Sequence, residues 1–134
     1  RAKAKAAARP SLAVKAERKR LIREGFLEVD RAEGSEDGFL LQVTTDSESW
    51  TFCHVYVPPR SFNEAELLEE NKTMVLSVER AEGESLCVVK DDVEYDLAMG
   101  ENILIRPGQV YNVRNKSETS SAMIHMMVYA VDRD

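Results

Sequence analysis

The chain has 134 residues, of which 43% are hydrophobic and 31% charged, and its formal net charge is −6. This length suits one domain with a tail, and the hydrophobic content is enough for a core. No apolar run approaches the roughly 20 residues that a membrane span needs, so we expect no membrane partner. The sequence has no signal-peptide pattern and begins with Arg1, so we expect it to be a piece of a longer protein.

Positive charge is concentrated in the N-terminal part of the chain. The basic arm from Arg1 to Arg23 holds nine Lys and Arg against one acid, Glu17, whereas residues 24–134 hold nine against twenty-three. The acidic body argues against nucleic acid as the main partner of the folded part. The arm is either a solvated tail or a weak contact for DNA, RNA or another acidic surface.

The N-terminal elements are a basic helix and a linker. Residues 11–23 predict a short helix with Ser11 as its possible N-cap. One face carries Leu12, Lys15, Lys19 and Ile22, so its apolar stripe is thin. Residues 30–38 are a polar loop with two glycines. We therefore predict an arm and linker over residues 1–37, partly helical or disordered, and one β-domain over residues 38–134.

Short strands follow one another along the rest of the chain. Their predicted ranges are 39–45, 50–58, 73–80, 85–90, 93–97, 102–105, 110–115 and 122–131. Asn63 is a possible cap for a short turn of helix over residues 64–70. Turn residues separate the strands, and no long helix lies between them, which is typical of an antiparallel all-β sandwich or barrel.

Both cysteines lie in apolar stretches of these predicted strands. Cys53 and Cys87 are therefore expected to be reduced core residues of an intracellular protein. A disulfide between them is the less favoured alternative, because two cysteines make no framework.

The most distinctive motif is residues 100–115, GENILIRPGQVYNVRN. Gly100, Gly108 and Asn115 have the spacing of the second motif of the cupins, so this segment resembles that family, with Pro107 one place later than usual. The resemblance implies an all-β cupin barrel, the double-stranded jelly roll. Gly100, Pro107, Gly108 and Asn115 are then expected to shape the barrel turns.

The same alignment places other residue types at the family's metal-binding positions. Tyr111 stands at the histidine of the second motif, and Leu76 stands at the glutamate of the first. Residues 69–72 cover the two remaining histidine positions with Glu, Glu, Asn and Lys. Leu76 and Tyr111 thus mark a degenerate metal pocket, and we predict no metal, no cofactor and no catalytic residues. His54 and His125 are interpreted as core or interface residues rather than ligands.

A closer likeness within the cupins lies in residues 74–79 and at Gly100, Ile103, Ile105, Gly108, Tyr111, Val113, Asn115 and Ser117. Through these residues the chain resembles the C-terminal domain of centromere protein C. The resemblance implies a non-enzymatic module that forms a homodimer in a nuclear, inner-kinetochore scaffold. Its expected partners are a second copy of itself and other kinetochore or centromeric-histone assembly proteins.

The last predicted strand is apolar on both faces, whereas a sandwich strand of a monomer usually has one polar face. It is therefore either an interior strand or a strand covered by a second subunit. On the second interpretation the predicted dimer interface comprises Met123, Ile124, His125, Met126, Met127, Val128 and Tyr129. The alternatives for the whole domain are a metal-dependent cupin enzyme with displaced ligands and a cupin that binds a small molecule.

Overall fold

A computed structural model of the chain describes residues 11–130, which form one helix and eleven strands. The helix, α1, spans Leu12–Arg23. The strands are β1 Leu27–Glu28, β2 Leu40–Asp46, β3 Trp50–Val57, β4 Ser61–Phe62, β5 Glu66–Leu67, β6 Lys72–Arg80, β7 Leu86–Lys90, β8 Val93–Leu97, β9 Asn102–Ile105, β10 Val110–Asn115 and β11 Ala122–Ala130. Within residues 11–130, no helix has the length and hydrophobicity that a membrane span requires.

The strands form two antiparallel sheets. The large sheet has the order β1-β2-β3-β11-β6-β9, and the small sheet has the order β4-β10-β7-β8, with β5 also paired to β10. The prediction of an all-β antiparallel barrel is confirmed. β11 lies in the middle of the large sheet, where it pairs with β3 on one side and β6 on the other.

The core lies between the inner faces of the two sheets. Alternation along the strands directs apolar side chains inward, as expected for half-buried antiparallel strands. The fully buried side chains of this cluster include Val57, Leu76, Leu86, Val88, Ile105, Ala122 and Ile124. Cys53 and Cys87 are both buried and free, as the sequence predicts.

One predicted element is wrong, because residues 64–70 contain no helix. Instead, Glu66 and Leu67 form β5 and pair with Tyr111 and Val110 of β10. The Asn63 side chain does not cap a helix, because its Oδ1 accepts a hydrogen bond from the Val113 N–H at 2.7 Å. Pairing with an adjacent strand satisfies this backbone better than an isolated turn of helix.

The motif residues lie at the barrel turns. Between β9 and β10 the Gln109 N–H donates to the Arg106 carbonyl at 3.1 Å, with Pro107 and Gly108 in the central positions. Gly108 has φ +83°, which a type II turn requires at this position. A Cβ on Gly108 would lie 2.8 Å from the Glu70 carboxylate, which is the end of a flexible side chain and can shift, so the positive φ is the reason for glycine here. Gly100 has φ +89° in the turn before β9.

Asn115 joins three segments at the end of β10. Its side-chain amide donates to the carbonyls of Val57 and Ser120, and its Oδ1 accepts from the Ser117 N–H at 3.0 Å. The side chain is buried, so these bonds are shielded from water. Asn115 therefore holds the connection before β11 against the end of β3.

Helix α1 packs on the outer face of the large sheet. The Ser11 hydroxyl accepts a hydrogen bond from the Val14 N–H and caps the helix, as predicted. The predicted apolar stripe is wrong, because Leu12 is 84% exposed and Ile22 is also exposed. The buried helical side chain is Leu21, which packs in a separate cluster with Phe26, Leu40, Tyr56 and Met123.

Polar contacts also attach α1 to the barrel. Glu17, the only acid of the basic arm, accepts hydrogen bonds from Arg80 at 2.8 Å and from the Ser121 hydroxyl at 2.7 Å. Arg18 donates to the Gly38 carbonyl at 2.8 Å. Part of the arm is thus docked through specific contacts, and its residues 1–10 lie outside the described residues.

Candidate functional site

The first candidate site is the barrel interior, where the cupin resemblance places a metal. Leu76 is completely buried there and offers no ligand atom. Tyr111 is also buried, and its hydroxyl donates to Glu66 Oε2 at 3.4 Å. Burial raises the pKa of Tyr111 well above its usual range, and the nearby Glu66 carboxylate raises it further. Tyr111 is therefore a neutral phenol at ordinary pH, whereas metal ligation by tyrosine needs the phenolate. These residues do not fit a cupin metal.

A small cavity remains at the mouth of the barrel beside Tyr111. Its volume is about 240 Å³, and its lining includes Val29, Phe39, Leu41, Cys53, Val55, Asn63, Glu66, Tyr111 and Met126. Small-molecule sites usually have about 300–1,000 Å³. Asn63 Oδ1 and the Tyr111 hydroxyl already have protein partners. Burial raises the pKa of the Cys53 thiol, which does not favour a reactive thiolate.

The two histidines lie on the opposite side of the large sheet. His54 of β3 and His125 of β11 are directly opposite each other in the register, and their ring centroids are 4.6 Å apart. The Phe52 ring lies 5.3 Å from both imidazoles. The neighbours of these histidines along the strands, Cys53 and Ile124, face the core, so the imidazoles face outward. His54 and His125 lie in two of the predicted strands, 50–58 and 122–131, and the structure places them side by side.

Glu79 completes this cluster, and sequence reasoning missed it. His125 Nε2 contacts Glu79 Oε1, and the ligand atoms of His54, Glu79 and His125 all lie within 4.8 Å of one another. Burial lowers the pKa of His54, the nearby His125 lowers it further, and Glu79 opposes this shift. The alternation of β6 predicts that Glu79 faces outward. Its position beside His125 depends on the pairing of β6 with β11, which no spacing in the sequence specifies.

A groove lies beside this cluster, between α1 and the large sheet. Its volume is about 340 Å³, and its lining includes Glu17, Arg20, Leu21, Glu24, Phe26, Gln42, His54, Glu79, Arg80 and Met123. Its rim carries carboxylates and guanidinium groups from both the helix and the sheet. The groove gives solvent and small ions access to the His54 and Glu79 side chains.

The predicted interface residues of β11 divide between three environments. Ile124 is fully buried inside the barrel, and Met126 and Val128 pack against the same core. Met123 is buried under α1. The remaining three, His125, Met127 and Tyr129, lie on the outer face and are half-buried or exposed. Only these three are available to a second subunit without rearrangement of the barrel.

These outer residues continue into an apolar surface that spans four strands. Met127 pairs with Phe52 and Val75, Val75 pairs with Leu104, and Tyr129 pairs with Trp50. We call this surface the outer apolar patch and define it as Trp50, Phe52, Val75, Leu104, Met127 and Tyr129. Trp50, Leu104 and Tyr129 are exposed, and a shallow groove of about 480 Å³ runs along Trp50, Met127 and Tyr129.

Comparisons with known proteins identify the fold. No protein-family model matches the sequence, and no curated protein matches it. The cupin domain of Schizosaccharomyces pombe Cnp3 matches with a TM-score of 0.62 at 10% identity, covering 76% of this chain and 64% of that one. A predicted oxalate decarboxylase from Thermotoga maritima matches with a TM-score of 0.68 at 11% identity, covering 79% of this chain and 92% of that one. The Cupin_2 domain of an XRE family transcriptional regulator from Enterobacter cloacae matches with a TM-score of 0.62 at 11% identity, covering 70% of this chain and 98% of that one.

These likenesses define the class of the protein. The chain has the cupin fold, an all-β barrel, as the motif at residues 100–115 predicts. The chain spans just under two thirds of the length of the Cnp3 domain. The similar structures include one named as an enzyme and one from a regulator, so the shared fold is compatible with more than one function.

Proposed function

We propose that this chain is a non-enzymatic homodimerisation and partner-binding module of an inner-kinetochore scaffold protein. The observation that carries the proposal is the outer apolar patch, which lies on the solvent side of the large sheet and spans β3, β11, β6 and β9. An antiparallel sheet with one free face normally carries polar side chains on that face. A contiguous apolar surface of this kind is typical of a protein interface.

A second copy of the chain is the occupant that we propose for the patch. A two-fold symmetric interface uses the same surface on both subunits, so it requires a surface that complements itself. The patch offers this, because its centre is apolar and flexible at Met127 and its edges carry the aromatic rings of Trp50 and Tyr129. His125 borders the patch from the next position of β11 on the same face.

The barrel interior supports a non-enzymatic role. Leu76 and Tyr111 occupy the positions that hold metal ligands in the resembling family, and both pack in the apolar core cluster. The two histidines of the chain face outward on β3 and β11 instead. A barrel with this interior provides rigidity, and its outer surfaces then carry the interactions.

The centromeric assignment rests on the resemblance to centromere protein C, and the likeness of the fold to the Cnp3 cupin domain supports it. Dimerisation would bring two scaffold chains together and raise the effective concentration of their other binding segments. Other kinetochore or centromeric-histone assembly proteins are the proposed further partners.

Lys15, Lys19 and Arg23 of α1 are exposed and suit a weak, salt-sensitive contact with DNA.

Solution mass tests the dimer directly. We expect the chain to be a dimer at micromolar concentration, and we expect Leu104→Glu to weaken the dimer at least about 100-fold, because an unpaired buried charge costs about 3–5 kcal/mol. Leu104 is suitable because it is already 36% exposed within one chain. The measurement is sedimentation equilibrium across a wide range of concentrations.

Two matched controls separate the patch from the rest of the surface. Leu67→Glu makes the same change at a leucine of β5 that is 67% exposed, and we expect the dimer to persist. Met127→Glu and Met99→Glu form a second pair, because Met99 is exposed in the turn before β9. A monomeric wild-type chain, or equal effects within each pair, would contradict the proposal.

Localisation tests the centromeric part separately. We expect the tagged full-length protein to form nuclear foci together with the centromeric histone, and we expect Leu104→Glu to weaken these foci. Foci elsewhere in the cell would refute the centromeric assignment even if the dimer is present.

An enzyme is the alternative that the Thermotoga maritima structure raises, since that protein is described as a predicted oxalate decarboxylase. The discriminating measurement is metal analysis of variants. A stoichiometric metal that remains bound after His54→Ala and His125→Ala would indicate a site inside the barrel and would favour this alternative.

A further inference from the structure

The cluster of His54, Glu79 and His125 has no role in the barrel core and lies on the outer face of the large sheet. We propose that these three side chains bind one divalent transition-metal ion, with Zn²⁺ as the expected ion. This surface site lies outside the barrel and uses none of the positions where the resembling family binds metal. The proposal does not depend on the proposed dimer.

The backbone first fixes the two imidazoles side by side. His54 and His125 are direct partners in the register of β3 and β11, and both strands have a neighbour on each side. Directly opposite residues of an antiparallel pair have Cβ atoms about 4.5–5.5 Å apart. This spacing allows two imidazole rings to reach one ion. The Phe52 ring, 5.3 Å from both imidazoles, limits their orientations.

The carboxylate comes from β6, beside a β-bulge. Val78 of β6 pairs with Ile124, and Arg80 pairs with Met123, so Glu79 is an extra residue between two consecutive pairs. Bulges are common next to functional sites. Here Glu79 contacts His125, and Arg80 reaches Glu17 on α1.

The distances and donor types suit zinc. Zn–N and Zn–O bonds of about 2.0–2.2 Å place tetrahedral ligand atoms about 3.4 Å apart. The three ligand atoms lie within 4.8 Å of one another, and His125 and Glu79 are in direct contact. Side-chain rotations that bring His54 closer and move Glu79 away from His125 would give this spacing. Imidazole is a preferred zinc ligand, and two histidines with one glutamate are a known zinc donor set.

The surroundings allow an ion to enter. His54 and His125 are half-buried and Glu79 is exposed, so the site is neither sealed nor fully solvated. The groove beneath α1 opens directly onto His54 and Glu79. Three protein ligands would leave a coordination position for water or for a partner's side chain.

Zinc titration of the untagged chain tests this site. After treatment with a chelator, the chain is titrated with ZnCl₂ alone by calorimetry, and bound zinc is counted after dialysis. We expect one zinc ion per chain. Loss of a residue that only supports a metal ligand lowers metal affinity roughly 10–100-fold. Glu79→Gln and His125→Ala should each lower the zinc affinity by more than this, because both side chains are proposed as direct ligands.

Controls separate the site from loss of folding and from general acidity. Glu79 is exposed, so Glu79→Gln should leave the barrel packing unchanged, and circular dichroism of each variant checks that it is folded. Glu48→Gln makes the same change at an exposed glutamate in the β2–β3 turn and should bind zinc like the wild type. Bound Co²⁺ should give a visible absorption band that disappears in His54→Ala.

Two results would overturn the proposal. One is the absence of saturable zinc binding by the folded wild-type chain. The other is zinc binding that Glu79→Gln and His125→Ala leave unchanged, since the metal would then lie elsewhere in the protein.

Discussion

Tyr111 illustrates how one residue type changes the chemistry of a barrel interior. The side chain is buried, and its hydroxyl donates to Glu66 at the barrel mouth. Burial raises the pKa of Tyr111, and the carboxylate of Glu66 raises it further. The residue therefore acts as a packing group with one hydrogen bond, at a position where the resembling family uses histidine to hold a metal.

The raised pKa of Tyr111 predicts a loss of stability at alkaline pH. The unfolded pKa of tyrosine is about 10, and the folded value is higher, so the folded protein keeps a proton that the unfolded chain loses. The stabilisation is fully present below about pH 10 and declines as the pH rises above it. We expect urea unfolding at about pH 9 and about pH 11 to show a smaller loss in Tyr111→Phe than in the wild type.

Tyr95→Phe is the matched control for this measurement, because Tyr95 is exposed on β8. A smaller alkaline loss of stability in Tyr111→Phe than in Tyr95→Phe would assign the effect to the buried side chain. Identical pH dependence in Tyr111→Phe and the wild type would mean that Tyr111 does not contribute.

Residue type alone predicts part of the candidate site. The substitutions at Leu76 and Tyr111 are visible in the motif spacing, and the structure places both side chains inside the barrel. The contact between His125 and Glu79 is not predictable from the sequence, because it depends on the pairing of β6 with β11. Sequence alternation specifies which face a residue occupies, but not its neighbour on the next strand.

At the scale of elements, helix α1 is an integral part of the fold. Leu21 packs beneath it against Phe26, Leu40, Tyr56 and Met123 of the outer sheet cluster. Glu17 adds hydrogen bonds to Arg80 and Ser121. The helix therefore covers one part of the outer face of the large sheet, and the outer apolar patch lies on another part of that face.

The buried face of α1 predicts a difference between two adjacent apolar residues. Leu21→Ala should reduce the free energy of unfolding by about 2–5 kcal/mol, because it removes buried methyl groups and leaves a cavity. Ile22→Ala should cost less than Leu21→Ala, because Ile22 is already 39% exposed and Leu21 is only 4% exposed, so less buried apolar area is lost. Urea denaturation measures both values, and equal effects would contradict this packing.

The sequence predicts some elements better than others for identifiable reasons. Val93–Leu97, Asn102–Ile105 and Val110–Asn115 have the predicted bounds because turn residues enclose each of them. The two-residue strands β1, β4 and β5 were missed, because segments this short carry no periodic signal. The helix was correctly placed with the wrong buried face, because basic residues dominate it and the apolar stripe is thin.

At the scale of the whole molecule, the two sides of the large sheet have separate roles. The inner side forms the barrel core, and the outer side is divided between the α1 contact, the His54, Glu79 and His125 cluster, and the outer apolar patch. The barrel class was predictable from residues 100–115. The division of β11 was not, because both of its faces are apolar and composition does not distinguish a core from an interface.

The proposed dimer predicts a melting temperature that depends on protein concentration. Association stabilises the folded state by mass action, so the wild-type melting temperature should rise with concentration. Leu104→Glu should melt at one temperature at all concentrations, and Leu67→Glu should behave like the wild type. Differential scanning fluorimetry over a wide concentration series measures this, and a constant wild-type value would count against the dimer.

The central position of β11 has a consequence for biosynthesis. Residues Ala122–Ala130 separate β3 from β6, so the large sheet has no continuous hydrogen-bonded order until this strand is added. A nascent chain that has exposed β2, β3 and β6 outside the ribosome still lacks the strand that joins them. Such non-local pairing gives a high contact order and slow folding. Translation pauses before residue 122, or truncations there, should therefore leave apolar strand edges available to chaperones and to aggregation.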